Sequence, residues 1–155
     1  MLKIGKPAPN FTLLNQAENS ITLRDFIGRK VVLFTFIAVG APACSAQVSA
    51  FETIFPALQQ ANVILLGIGI DSPESLGAWH RELGLPFDLL ADPDHDVLEK
   101  YDAWDGLSFK ARSFAAPLRS YWMIDESGIL RAGQTRVTVD MCVQGVCSAL
   151  DINPE

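Results

Sequence analysis

The chain has 155 residues, 49% of them apolar and 19% charged, which fits a single domain expected over residues 1–155 and excludes disorder. The formal net charge is −6 and no cluster of Lys and Arg appears, so no nucleic-acid partner is expected. No apolar stretch approaches the roughly 20 residues of a bilayer span, and residues 1–7 lack an apolar core of signal-peptide length; the expectation is a cytoplasmic protein without a membrane partner.

In chain order, a rigid Pro7-Ala8-Pro9 segment leads into two short strands, residues 11–14 and 21–23, around a turn-rich stretch that reads as an N-terminal hairpin. Asp25-Phe26-Ile27-Gly28 reads as a helical turn closed by glycine. Residues 31–37 (Val-Val-Leu-Phe-Thr-Phe-Ile) are almost unbroken β-branched and aromatic side chains, the signature of a strand buried on both faces of a parallel sheet. Gly40-Ala41-Pro42 breaks it, and a helix is predicted over about 43–59, with Val48, Phe51, Ile54, Phe55 and Leu58 recurring at spacings of three and four. A second buried strand at 63–70 completes a right-handed βαβ unit.

Ser72 and Pro73 are the N-cap and first residue of a helix running to Gly84. A short strand at 87–90 follows, then Asp92-Pro93 as the cap of another helix, carrying Val97, Leu98 and Tyr101. Residues 103–117 read as a surface loop. Residues 120–124 and 128–137 form a hairpin, and a last helix spans about 140–150. A βαβ half followed by a ββα half gives an α/β protein with the thioredoxin arrangement: a central mixed sheet with helices on both faces.

Three cysteines are an odd number and too few for a disulfide framework, so the question is which is a reactive thiol. Cys44 lies where the first buried strand yields to its helix, just behind Pro42. Peptide N–H groups and the helix dipole there favour an anion, hence the thiolate. The alternative is a small buried core residue, a common fate of free cysteine.

The stretch from Val31 to Cys44, ending Gly40-Ala41-Pro42-Ala43-Cys44, resembles the active-site strand and loop of peroxiredoxins of the PrxQ and AhpE types. So do Gly5-Lys6-Pro7-Ala8-Pro9-Asn10-Phe11, Gly67-Ile68-Gly69-Ile70-Asp71-Ser72-Pro73, Leu89-Leu90-Ala91-Asp92 and the segment from Arg119 to Ile129. The resemblance implies that Cys44 attacks a peroxide and becomes a sulfenic acid, that Arg119 holds the thiolate and polarises the peroxide, and that Ile37, Ala41 and Pro42 line the substrate pocket. It further implies a homodimer, no cofactor, and regeneration by an external thiol: thioredoxin, a glutaredoxin or a low-molecular-weight thiol. Arg supplies several donors in rigid geometry, which suits that role.

Two positions depart from the family pattern. Members usually carry proline seven residues before the cysteine and threonine or serine three before it; here these are Ile37 and Ala41. The second loss removes a hydroxyl from the transition-state electrostatics. A catalytically weak binding module or redox sensor is therefore the alternative reading. A thiol–disulfide oxidoreductase is disfavoured, because the first position of a Cys-x-x-Cys pair is Ala41. Cys142 and Cys147 are the possible resolving cysteines, but the last helix is expected to pack on a sheet face away from Cys44. Cys147 aligns with Val143 and Leu150 as a core residue, while Cys142 is open to exposure. His80 and His95 lack carboxylate or cysteine companions at ligand spacing, so no metal site is expected. Trp79, Trp104 and Trp122 read as packing residues, with Trp104 and Phe109 as candidate walls of a pocket or subunit contact.

Overall fold

The computed structural model describes residues 2–106 and 116–152; Phe109 and the C-terminal residues 153–155 lie outside them. β1 (Thr12–Asn15) and β2 (Ser20–Thr22) form the N-terminal hairpin, and Leu23–Phe26 is a single 3-10 turn. The apolar run becomes β3 (Lys30–Thr35), followed by α1 (Pro42–Gln60) and β4 (Val63–Gly69), with β3 and β4 parallel. Then come α2 (Pro73–Leu83), β5 (Asp88–Ala91) and α3 (Asp96–Lys100). A small β6–β7 pair (Trp104–Asp105 with Ala116–Pro117), β8 (Ser120–Ile124), β9 (Leu130–Thr135) and α4 (Val139–Leu150) complete the chain.

The seven-stranded sheet runs β2-β1-β5-β4-β3-β8-β9, parallel at its centre and antiparallel at both ends. Alternation along β3 divides the core. Val32, Phe34 and Phe36 face a cluster built with α1, α2 and α4, while Val31 and Leu33 face one built with α3 and the N-terminal segment. Phe34 stacks on Phe51 of α1 with ring centroids 4.4 Å apart and tilts edge-on to Phe87 at 5.8 Å. That aromatic contact seats α1 on the sheet and so fixes where its N-terminus points.

The Gly67-Ile68-Gly69 run of β4 has a steric role. A Cβ at Gly67 would lie 2.6 Å from the Phe34 ring, and one at Gly69 would lie 2.5 Å from the Phe36 ring. Glycine is required by the close approach of two aromatic rings.

Two expectations are corrected. Asp92-Pro93 does not begin α3; the helix starts at Asp96, after His95 in a left-handed conformation (φ 52°). Asp92 anchors that helix nonetheless, its buried carboxylate accepting the Leu98 N–H at 2.8 Å. Burial raises the Asp92 pKa, partly offset by the N–H groups of Leu98 and Val97. The stretch expected as an irregular loop contains the β6–β7 pair, because Trp104 pairs with Pro117 and stacks on His95, centroids 4.0 Å apart.

Gly67→Ala and Gly69→Ala force these rings out of their seats. Each should cost about 1–3 kcal/mol, as overpacking of a filled core generally does, seen as a lower urea midpoint with an unchanged m-value.

Candidate active site

Cys44 is the third residue of α1, within the first turn, where N–H groups have no partner inside the helix. Nothing neutralises that end: the N-cap residue Ala41 makes no side-chain bond and the first turn carries no acidic residue. The other long helices are capped, α2 by Ser72 accepting from Ser75 N–H and α4 by Thr138 accepting from Met141 N–H. The positive end of the α1 dipole is therefore available to an anion at Cys44.

Two donors converge on the sulfur. The Arg119 Nη2 lies 3.3 Å from Cys44 Sγ, and the main-chain N–H of Ile37 lies 3.4 Å from it. Among the described residues no carboxylate forms an ion pair with Arg119, so its charge is directed at the sulfur.

Arg119 is positioned from several sides. Its carbonyl accepts the Val137 N–H at 3.1 Å. The preceding carbonyl, of Leu118, accepts the Thr35 hydroxyl at 2.5 Å, and Thr35 Oγ1 meets Ser120 Oγ at 2.7 Å. Its guanidinium Nε–H donates to Gln47 Oε1 at 3.1 Å. Gln47 is fully buried; its amide nitrogen donates to the Thr35 carbonyl at 3.1 Å and lies 3.6 Å from Cys142 Sγ. Gln47 was not singled out from the sequence. The available signal was a polar residue three positions after Cys44, beside Val48 in a helix face otherwise apolar.

The structure brings Cys44, Arg119 and Ile37 together. Ala41 is partly buried against the core, while Pro42 is exposed at the head of α1. Cys44 itself is 1% exposed. A separate cavity of about 160 Å³ lies around the start of β3, lined by Pro7, Arg24, Ile27 and Gly128; it belongs to the opposite end of that strand from Cys44.

Two expectations about α4 are overturned. Its first turn is not remote from Cys44, since Cys142 sits behind Gln47 and donates toward the Ser120 carbonyl at 3.6 Å. Nor is Cys142 open to solvent: it is fully buried, and burial pushes its thiol up to about 12 despite Gln47 and Arg119 nearby. Cys147 is a core residue as expected, its thiol also raised by burial. His95 has a carboxylate companion after all, with Nδ1 2.6 Å from Glu99 Oε2.

Residues 4–133 match the AhpC/TSA family. A putative peroxiredoxin bcp of Haemophilus influenzae is 35% identical over 129 residues, 83% of each chain. The peroxiredoxin Bcp of Escherichia coli is 33% identical over 127 residues, 82% of this chain and 81% of that one. Among solved structures, a mutant of Xylella fastidiosa PrxQ shares the fold with a TM-score of 0.89 at 21% identity, covering 97% of this chain and 96% of the other. Fold and relatives place the chain among the thiol-dependent peroxidases with a thioredoxin-like fold. It belongs to the AhpC/TSA family, the peroxiredoxins.

Burial holds the native Cys142 thiol protonated at pH 8. Iodoacetamide at pH 8 should therefore leave Cys142 unlabelled until denaturant is added. The unfolded chain gives up this proton near its ordinary value of about 8.5 while the native one keeps it, so stability falls as pH rises past that point. Cys142→Ala should flatten that decline in urea titrations at pH 8–10. Gln47→Ala frees the Arg119 Nε–H and removes the side-chain donor from the buried Thr35 carbonyl. It should cost about 1–3 kcal/mol of stability and slow the reaction of Cys44 with peroxide about tenfold or more.

Proposed function

We propose that the chain acts as one domain over residues 1–155 and reduces hydrogen peroxide or organic hydroperoxides at Cys44 in a one-cysteine cycle. The observation that carries this reading is the Cys44 sulfur at the head of α1 with the Arg119 guanidinium 3.3 Å away. The thiolate attacks one peroxide oxygen, the O–O bond breaks, and the departing oxygen leaves as hydroxide or alkoxide that takes up a proton. Cys44 is left as the sulfenic acid. Arg119 supports both the attacking thiolate and the charge developing on the peroxide oxygens. A first external thiol then displaces water to form a mixed disulfide, and a second returns Cys44 to the thiol.

The one-cysteine reading rests on the state of the other thiols rather than on distance. Cys142 is near but buried and held protonated, and Cys147 is 2% exposed in the core. Reductants of suitable chemistry are thioredoxin, a glutaredoxin or a low-molecular-weight thiol. A homodimer is carried over from the resemblance. A cytoplasmic setting agrees with three unpaired cysteines, and among the described residues no helix is long and apolar enough to cross a membrane. The reading of a catalytically weak binding module is disfavoured by the donors arranged around the sulfur.

Peroxide consumption with a small thiol as reductant should vanish in Cys44→Ser and persist, within about threefold, in Cys142→Ser and Cys147→Ser. A peptide map of peroxide-treated protein without reductant should contain no stoichiometric disulfide from Cys44 to either residue. Finding one would make this a two-cysteine enzyme.

A further inference from the structure

Ala41 offers only a methyl group where a hydroxyl donor is usual, so the anion at Cys44 needs another donor. We propose that the main-chain N–H of Ile37 is that donor, a catalytic group bonded to the reacting sulfur and made available because position 37 is not proline. The proposal rests on Cys44 being the peroxidatic thiol. β3 ends at Thr35, and the Phe36 N–H still bonds the Ile68 carbonyl at 3.1 Å. One residue on, the chain leaves the ladder and the Ile37 N–H points to Cys44 Sγ at 3.4 Å. Two residues further, the Val39 N–H is tied to the Asp71 carboxylate at 3.0 Å, so the Ile37 peptide is held between two fixed points. The Ile37 side chain is 39% exposed and makes no polar contribution; the main chain serves the sulfur. Proline at this position has no N–H to give. The substitutions at 37 and 41 therefore act as a compensating pair: one removes a side-chain donor, the other supplies a main-chain one.

The full-length chain labelled with 15N-isoleucine tests this without altering the site. Raising the pH through ionisation of Cys44 should move the Ile37 amide proton resonance, and the response should be lost in Cys44→Ala. Ile37→Pro should slow both iodoacetamide alkylation of Cys44 and its reaction with peroxide by about tenfold or more, a larger loss than in Ile37→Ala, which keeps the N–H. Ala41→Thr should recover more rate in the Ile37→Pro background than it adds to the unaltered chain, giving a non-additive cycle. An Ile37 amide indifferent to Cys44 ionisation, or strictly additive substitutions, would overturn the proposal. Should Ile37→Pro not fold, the amide resonance of the unaltered chain decides alone. The amide resonance separates this inference from the peroxidase reading: an Ile37 response in a protein that consumes no peroxide keeps the bond to the sulfur but overturns its catalytic role together with the peroxidase.

Discussion

The contact between the Arg119 guanidinium and the Cys44 sulfur depends on segments 75 residues apart in sequence. Their meeting is imposed by the antiparallel register of β3 and β8, in which Thr35 pairs with Ser120. That pairing sets the end of β3, and with it the head of α1, beside the start of β8, where Arg119 sits. A slip of one residue would turn every β3 side chain to the other face. Phe34 would then leave its stack on Phe51 and α1 its seat. The core thus protects the register, and the register delivers the arginine.

Polar groups that would be liabilities elsewhere are used here as a frame. Gln47 and Ser120 are fully buried and Thr35 nearly so, and each is engaged in the chain of bonds that ends at Arg119. A buried polar network is stabilising only when its members are satisfied. The uncapped head of α1 is the complementary feature. A capping side chain there would be worth about 0.5–2 kcal/mol, as Ser72 and Thr138 illustrate for the other two long helices. Leaving it out reserves the free N–H groups and the positive dipole for the thiolate, an instance of stability given up at a working site.

Much of this was legible in the sequence, for definite reasons. The unbroken apolar run of β3 and the three-and-four spacing of Val48, Phe51, Ile54 and Leu58 are local signals, and they place Cys44 at a strand-to-helix junction. Arg119 was named through the family resemblance, which a lone arginine before a strand would not have supplied. Gln47 stayed hidden because its role depends on two partners, Thr35 and Arg119, that lie far from it along the chain. The reach of α4 toward Gln47 is not legible, because helical periodicity tells which residues face a sheet but not which end of the sheet they reach. The His95–Glu99 contact is hidden for a related reason: the i,i+4 spacing is in the sequence, but the left-handed turn that starts α3 at His95 is not.

Every role assigned around the site depends on Cys44 being the thiol that meets peroxide. One equivalent of hydrogen peroxide should be added to the reduced protein, the sulfenic acid trapped with a 1,3-diketone, and the adduct located by peptide mass spectrometry. A stoichiometric adduct on the peptide containing Cys44, with Cys142 and Cys147 still thiols, is the predicted result. An adduct on Cys142 or Cys147, or an unoxidised Cys44, would contradict the account.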